Sequence, residues 1–448
     1  MNPRNWMDPR NTSGPLSWSF LMGGLLLGIP RAQSREQITT NYDDGAVHER
    51  YHVDEAGVKQ GSSTEYWPNG RTQCRATYLD GALHGRVERF YEDGSRFVIA
   101  YYRKGTLHGA YDEYSGERHV RAKYDGGSLH GRFEVTRGRD VSRRVFDHGK
   151  IVSLDGAVVF ARTDEAIRER LTQIETVDET SVAKATAAED ALALERMRGL
   201  ARLNAYRYLC GIPCDVVLDP AFNAYTDAAA SLCKAIGRLD HKPPNPGWPK
   251  DRFEFGFEGT SHSNLAVTSS LPSSIDQYMN DSDPSNIDRI GHRRWCLNPT
   301  MAKTGLGRDE RFAAMWSMDG SRKSTPRLDF VSYPPAGFVP IEYFGPRHAW
   351  SITFSASTSH KKLAESEIRL YRLDERFLRV GEALPFDACH VAAGGFGGGG
   401  ACLVFRSPKA EIAPGARYEV AVMTGGDKRR SVLANSIVEF TQRPAEVK

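Results

Sequence analysis

The sequence lacks the features that assign a chain at once to a specialised class of protein. Its 448 residues contain only seven cysteines, which excludes a disulfide-rich scaffold. The 59 basic and 56 acidic side chains nearly cancel, to a formal net charge of +3, so there is no electrostatic reason to expect a nucleic-acid partner. Neither a Gly-x-Ser-x-Gly elbow nor a helix carrying His-Glu-x-x-His is indicated, so the common signatures of serine hydrolases and zinc proteases are missing.

Long apolar runs are also scarce, and the one that stands out lies near the N-terminus. It extends from Leu16 to Ile29, after Arg4 and Arg10 and before small and polar residues, which is the order of a secretory signal. A membrane span needs about 20 apolar residues, so this run is short for one. We therefore expect residues 1–34 to direct export, as a cleaved signal or an uncleaved anchor, and the protein to be secreted or held at the cell envelope.

Residues 40–155 carry an internal repeat. The sequence Gly-x-Leu-His-Gly begins at Gly81, Gly105 and Gly127, and aromatic residues keep step with it. This pattern predicts pairs of short strands separated by glycine turns. Because one hairpin is marginal in water, stacking of the units is expected to bury the aromatic side chains.

The repeat resembles MORN-type repeats over about residues 57–150, in the variant found in bacterial antitoxin-like proteins. That resemblance implies either a docking surface, for example for envelope or surface proteins, or a plain spacer. The recurring histidines, His84, His108 and His130, lie inside the turn consensus, which favours a structural role over a row of metal ligands.

Glycine disappears after the repeats, and alanine, glutamate, leucine and arginine dominate. Ile167, Leu171 and Ile174 recur at helical spacing. Residues 160–194 are therefore predicted to be a helical linker that leads into the next domain.

Residues 195–335 contain a series of short motifs between helical segments. In chain order these are Asn204-Ala205-Tyr206-Arg207, Asp240-His241, Ser263-Asn264-Leu265-Ala266, Asp281, and Gly291-His292-Arg293. Taken together and in this order, they resemble the CAP superfamily of cysteine-rich secretory, antigen five and pathogenesis-related proteins. The resemblance implies an α-β-α sandwich whose cleft holds two histidines and up to two acidic residues. In some relatives that site binds a divalent metal, and in others a neighbouring groove binds sterols or lipids.

The family's site residues carry over incompletely. His241 and His292 match the two cleft histidines, and Asp281 lies where the second acidic residue is expected. Asn264 matches the asparagine of the family's Gly-Glu-Asn motif, but a serine occupies the glutamate position. The carboxylate of Glu258, five residues before that serine, would have to reach in from its own segment to replace it.

This residue set has consequences for chemistry. Two neutral imidazoles and one carboxylate can bind zinc with open positions, so His241 and His292 are the candidate metal ligands and a divalent ion such as zinc is the candidate cofactor. Hydrolysis would need a further base near a metal-bound water, and none stands out. A binding role is therefore favoured over catalysis, with a lipid, a glycan or a peptide as the ligand.

The C-terminal residues 346–445 alternate between strand-like segments and turn signals, which predicts an immunoglobulin-like β-sandwich. The glycine run 394–400 lacks the lysine and the helix of a phosphate loop and is interpreted as a flexible hairpin tip. Cys389 and Cys402 flank this run and are candidates to close it with a disulfide.

The predicted fold class is thus multi-domain α+β, with stacked β-hairpin repeats, a central α-β-α sandwich of the CAP type and an immunoglobulin-like β-sandwich. The leading hypothesis is an exported recognition protein that binds a ligand at its histidine cleft. Two alternatives stay open. One is a metal-dependent hydrolase that works through His241, Asp281 and His292, and the other is an envelope scaffold that interacts through its repeats.

Overall fold

The computed structural model describes residues 36–138, 140–154, 157–158, 162–178, 187–424 and 431–442. The protein is mixed α/β, and its chain divides after Val141 into two compact units. The expected export segment, residues 1–34, lies outside the described residues. Within the described ranges, no helix is long and apolar enough to cross a membrane.

The first unit is an antiparallel β-sheet made of consecutive hairpins. Its strands are β1 Glu36–Asn41, β2 Val47–Val53, β3 Lys59–Tyr66, β4 Thr72–Leu79, β5 Ala82–Leu83, β6 Gly85–Phe90, β7 Arg96–Arg103, β8 Thr106–Ser115, β9 Arg118–Asp125, β10 Ser128–Leu129 and β11 Gly131–Arg137. The long strands pair in sequence order, and the short β5 and β10 pair with β4 and β9. The predicted sheet of repeated hairpins is confirmed.

The same turn chemistry recurs along this sheet. The Gly70 amide donates to the Trp67 carbonyl and the Gly94 amide to the Tyr91 carbonyl, and both glycines have φ near +80° to +90°. Side chains other than glycine are strained there, which is why the glycine recurs at this position. The Asp93 carboxylate accepts the amide two residues further on and fixes the turn.

Hydrogen bonds from one repeat to the next hold the hairpins in register. Turn amides donate to a carbonyl of the preceding repeat at three equivalent places: Gly81 to Lys59, Gly105 to Leu83 and Gly127 to Leu107. Aromatic side chains donate to the following repeat in the same way: Tyr42 to Tyr66, Trp67 to Phe90 and Tyr91 to Tyr114. The sequence period therefore places each donor opposite a carbonyl of the adjacent hairpin.

The second unit begins within β12 (Asp140–Asp147) and continues through two short strands and two helices. These are β13 Lys150–Leu154, β14 Ala157–Val158, α1 Asp164–Glu175 and α2 Ala187–Leu209. Thr163 caps α1 by accepting the Ala166 amide, and Ile167 and Leu171 are the buried positions of that helix. The segment predicted as a helical linker thus contains α1 and the beginning of α2.

The middle of the second unit is a small sheet between helices. Its elements are β15 Val217–Leu218, α3 Pro220–Ile236, α4 Lys250–Ser261, β16 Ser263–Val267, α5 Leu271–Asn280, α6 Gly291–Cys296, β17 Lys303–Thr304, β18 Leu306–Asp309 and β19 Phe312–Trp316. The strand order is β16-β19-β18, all antiparallel, and β15 pairs separately with β17.

Successive side chains of β19 point to opposite faces of this sheet, and each face is covered by a layer of helices. Phe312 and Ala314 pack with Ala229 of α3, whereas Ala313 and Met315 join the cluster that contains the buried side chains of α2 and α5. Three layers result, helix, sheet and helix, because nearly every position of this central strand is apolar and both of its faces are buried.

Glycines allow α3 to lie directly on β18. A Cβ at Gly305 would stand 2.2 Å from the Phe222 carbonyl carbon, and a Cβ at Gly307 would stand 2.3 Å from that of Thr226. No side chain fits in that space, so the Gly-x-Gly sequence is a condition for this helix–strand contact.

Two four-stranded sheets form the C-terminal part. One has the order β20 (Phe330–Tyr333), β22 (Trp350–Phe354), β25 (Cys402–Arg406) and β24 (Ala388–Ala392), and the other has the order β21 (Gly337–Pro340), β27 (Ser431–Thr441), β26 (Arg417–Thr424) and β23 (Glu367–Leu373). A 3-10 helix, Ile341–Tyr343, and the helix α7, His360–Ala364, complete this part. Strands β20 and β21 precede residue 346 and belong to the same two sheets.

Aromatic side chains fill the space between these two sheets. The Trp350 ring lies 5.7 Å from the Tyr418 ring and 6.0 Å from the Phe440 ring, across from its own sheet. The same buried cluster continues into α2 and α5, so the two sheets share a core with the central layers.

No disulfide closes the loop between Cys389 and Cys402. All seven cysteines carry free thiols. Cys389 pairs with Phe405 and Cys402 with Ala392 in the β24–β25 ladder, so the two sulfur atoms are offset along the strands.

The glycine run, interpreted from the sequence as a flexible hairpin tip, does connect the paired strands β24 and β25, but it is packed against α6. The Phe396 ring lies 6.4 Å from the Trp295 ring and 5.0 Å from the Arg294 guanidinium carbon. The Gly400 carbonyl accepts the Arg294 guanidinium at 2.9 Å. Glycines recur here because backbone meets backbone: a Cβ at Gly397 would stand 2.0 Å from the Arg294 carbonyl oxygen.

We expect Gly397→Ala to lower the free energy of unfolding of the second unit by about 2–5 kcal/mol, because a positive φ and a backbone clash add together. Gly381→Ala is the matched control, since Gly381 has φ +70° with open space around its Cβ position. The control should cost about 1–2 kcal/mol, for the positive φ alone. Urea unfolding of both variants measures the difference, and equal losses would contradict the packed loop.

His348, which precedes β22, links stability to pH. Burial, aided by the positive charges of Arg293 and Arg347, lowers the pKa of its imidazole to about 3. Between that value and about 6.5 the unfolded chain binds a proton here that the folded chain does not, so the free energy of unfolding falls as the pH is lowered.

The variant His348→Gln should lose this part of the pH dependence. Below about pH 6 the wild type should lose up to about 1.4 kcal/mol per pH unit more than the variant does. Urea titrations at pH 4 to 8 measure both slopes, and parallel slopes would show that His348 binds protons equally in the folded and unfolded states.

Candidate functional site

The sequence brings His292 to the N-terminal end of α6 and Asp281 to the end of α5. Asp281 has φ +41° and ends α5, and Ile290 has φ +44° directly before α6. The Asp281 carboxylate, with its side chain 1% exposed, accepts three N–H groups. These are the His292 ring Nδ1–H at 2.8 Å, the His292 backbone amide at 2.8 Å and the Arg293 backbone amide at 3.3 Å.

These contacts determine the tautomer of His292. A carboxylate accepts and does not donate, so Nδ1 carries a proton and the lone pair of the neutral ring is on Nε2. Asp281 therefore acts as an orienting group behind the imidazole, as carboxylates do behind metal-binding histidines.

His241 is oriented in the same way by a backbone carbonyl. It lies on the exposed segment after α3, and its Nδ1 is 3.0 Å from the Thr260 carbonyl oxygen at the end of α4. Because a carbonyl only accepts, Nδ1 is protonated here as well. The preceding Asp240 stabilises the turn by accepting the Lys242 amide at 2.9 Å.

The two predicted histidines are close together. Their ring centroids are 6.4 Å apart and their planes differ by 32°. Within the described ranges neither Nε2 has a hydrogen-bond partner, so the site has two unpaired nitrogen acceptors, one on the exposed His241 and one on the partly exposed His292.

Asn264 is buried beside His292, where it stabilises the site without lining it. Its side-chain amide donates to the His292 carbonyl at 3.0 Å and contacts the Cys296 sulfur at 3.6 Å, and the residue is 2% exposed. Tyr278 supports both groups, because its hydroxyl donates to the Asn264 carbonyl and its ring lies 5.7 Å from the His292 ring.

The remaining predicted carboxylate, Glu258, does not join the histidine pair. It is half exposed on α4, and its carboxylate lies 3.4 Å from the His262 Nδ1, which is 3.0 Å from the Glu258 backbone carbonyl oxygen. His262 stacks in turn on Trp316, with ring centroids 5.0 Å apart and an interplanar angle of 10°. The hydroxyl of Ser263, at the position where the resemblance implies a glutamate, is buried and has no hydrogen-bond partner among the described residues.

Two buried arginines hold the segment around α6 and were not assigned a site role from the sequence. Arg293, 0% exposed, donates to the Met279, Asn280 and Ala349 carbonyls and to the Ser351 hydroxyl. Arg207, also 0% exposed, donates to the Pro213, Cys296, Asn298 and Met301 carbonyls, and burial lowers its pKa to about 10. Motif position alone gave no sign of these partners, since the acceptors are backbone carbonyls far away in sequence.

A His-Glu-x-x-His string does occur, at residues 48–52, but it lies in strand β2. Histidines four positions apart in a strand are about 13 Å apart, too far to share one metal ion. The Glu49 carboxylate is committed to Lys59 at 2.6 Å and to Ser63 at 2.8 Å. This string is therefore part of the sheet and not a zinc-protease site.

The donor set of the histidine pair fits a divalent metal with two protein ligands. Imidazole nitrogens with anchored Nδ1–H groups suit zinc-class ions. Within the described residues, no third histidine, cysteine or carboxylate atom joins these two rings within 4.8 Å. Asp281 already accepts three N–H groups, so the predicted set of two histidines and one carboxylate is not assembled as three direct ligands.

No family model and no curated protein matches this chain. The resemblance to the CAP superfamily therefore depends on the order of the sequence motifs alone.

The anchored tautomers can be tested by nitrogen NMR. At neutral pH we expect His241 and His292 to be protonated on Nδ1 and bare on Nε2, since an oxygen acceptor faces each Nδ1. Asp281→Asn should remove the preference at His292 alone and lower the free energy of unfolding by about 1–3 kcal/mol. Asp283→Asn is the control, because Asp283 caps a neighbouring exposed turn. Retention of the His292 tautomer in Asp281→Asn would refute the orienting role.

Proposed function

We propose that this chain is a CAP-type recognition protein whose histidine pair binds a divalent ion of the zinc class. The observation that carries the proposal is that His241 and His292, whose ring centroids are 6.4 Å apart, each bind an oxygen acceptor through Nδ1 and have no partner at Nε2 among the described residues. Two protein ligands leave coordination positions for oxygen atoms of water or of a bound molecule. The ion would thus connect the cleft to a polar ligand, such as a glycan or a peptide.

The contacts favour binding over hydrolysis. A hydrolytic site needs a base within hydrogen-bond reach of the activated water. In the described part of the chain, Asp281 accepts three N–H donors, and the Glu258 carboxylate lies beside His262 and does not join the two histidines. Neither carboxylate is placed to accept a proton between the two histidines.

The surroundings of the pair favour a polar ligand over a lipid. His241 is exposed, and the neighbouring Lys242 is exposed as well. A lipid site is an enclosed apolar cavity, and exposed polar surface around the two rings does not provide one. The hairpin repeats, as a regular surface, and residues 1–34, as an export signal, complete the proposal of a secreted or envelope-held binding protein.

Zinc binding to the purified chain tests the proposal. We expect one zinc ion per chain by calorimetry, with affinity at least tenfold lower in His241→Ala and in His292→Ala, since each variant removes one of two protein ligands. His262→Ala is the matched control, because this imidazole stacks on Trp316 and does not form a three-ligand cluster with the two histidines. It should bind zinc like the wild type.

The same titration can overturn the proposal. Equal zinc binding by the wild type and the His241→Ala, His292→Ala double variant would place the ion elsewhere. Absence of zinc binding by a folded wild-type chain would show that the histidine pair is not a zinc site. Hydrolysis of ester or peptide substrates that requires both histidines would restore the hydrolase alternative.

A further inference from the structure

A cavity of about 290 Å³ lies between α5 and the segment that follows β21. Neither His241 nor His292 lines it. One helix face supplies Ser273, Asp276, Gln277 and Asn280, three and four positions apart, and the opposite wall includes His348. The volume is at the lower end of the range for small-molecule pockets, so the occupant would be small.

The carboxylate of Asp276 has one oxygen in use and one available. Its Oδ1 accepts the Arg202 guanidinium at 2.6 Å and the Tyr206 hydroxyl at 2.8 Å. No partner of Oδ2 is found among the described residues. Arg202 also donates to Glu175 at 2.9 Å, so two carboxylates share its one positive charge, and the side of the cavity at Asp276 remains acidic.

Asn280 provides a second available acceptor. Its side-chain oxygen is buried and has no hydrogen-bond partner in the part of the chain that the structure describes. Buried polar atoms are nearly always paired in folded proteins, so an unpaired acceptor in the wall of a cavity indicates a missing donor.

His348 provides the third available acceptor. The Tyr333 hydroxyl donates to the Tyr343 carbonyl, so it accepts from His348, whose Nδ1 is 3.3 Å away. Nδ1 therefore carries the ring proton and Nε2 is an acceptor. Burial keeps the pKa of this imidazole low, at about 3, so the ring is neutral and does not repel a cation at neutral pH.

We propose that this cavity binds a small primary amine in its protonated form. An ammonium group has three N–H donors, which matches the three available acceptors on Asp276, Asn280 and His348 in number and in charge. The amides of Gln277 and Asn280 and the hydroxyl of Ser273 remain for hydroxyl groups elsewhere on the ligand. This site is independent of the histidine pair.

Calorimetry with two matched pairs of probes tests whether the cavity binds an amine. The pairs are cyclohexylamine with cyclohexanol, and glucosamine with glucose. We expect at least one amine to bind at least tenfold more tightly than its neutral partner. Asn280→Leu should weaken amine binding at least tenfold, because it removes an acceptor. The matched control is Asn286→Leu, which should leave amine binding unchanged, because Asn286 lies outside the cavity wall and donates a hydrogen bond to Asp283.

Asn280→Asp separates loss of the site from loss of the fold. The added carboxylate should strengthen binding of the amine at least threefold and leave the neutral partner unaffected, an outcome that a damaged fold does not produce. The proposal is overturned if neither amine binds better than its neutral partner, or if Asn280→Leu and Asn280→Asp bind the amine like the wild type. Zinc binding at His241 and His292 is a separate readout and should be the same in all these variants.

Discussion

The buried guanidinium of Arg293 is the interaction on which the second unit depends. Desolvation of the buried cation lowers its pKa, and four oxygen acceptors compensate for the water it loses. Two acceptors lie at the end of α5, Met279 and Asn280, and two at the start of β22, Ala349 and Ser351. Because breaking such a set leaves a charge buried without partners, α5, α6 and the C-terminal sheets are bound to one arrangement.

That arrangement explains how a short helix can hold a site. A helix of six residues has little stability of its own, so its position is set by its contacts. Asp281 fixes the first turn of α6 from one side and Arg207 fixes the chain after it from the other. The glycine loop packs against it through Phe396. His292 is therefore preorganised, and ligand binding at the pair does not have to order the segment that carries it.

Much of this could be predicted from local sequence signals. The glycine period predicted the hairpin sheet, because turns with positive φ need glycine. The resemblance of the motif order to the CAP superfamily, and no local signal, implied that His241 and His292 lie together. Long-range backbone contacts could not be predicted. Nothing in the sequence of Gly394–Gly400 indicates that these glycines approach the carbonyl of Arg294. Sequence alone suggests that Asp281 is a metal ligand, because its three N–H donors are evident only in the structure. Cavities such as the one beside Asp276 arise only from packing, so they leave no periodic signal in the sequence.

Native-state hydrogen exchange of the α6 amides tests the central claim most directly. If Arg293, Asp281 and the glycine loop fix α6 to the C-terminal sheets, the Arg294 and Leu297 amides should exchange with the same opening free energy and denaturant dependence as the amides of β22 and β25. Exchange of the α6 amides at a clearly lower free energy, while β22 and β25 remain protected, would show that the helix opens by itself and that the buried arginine does not control the site.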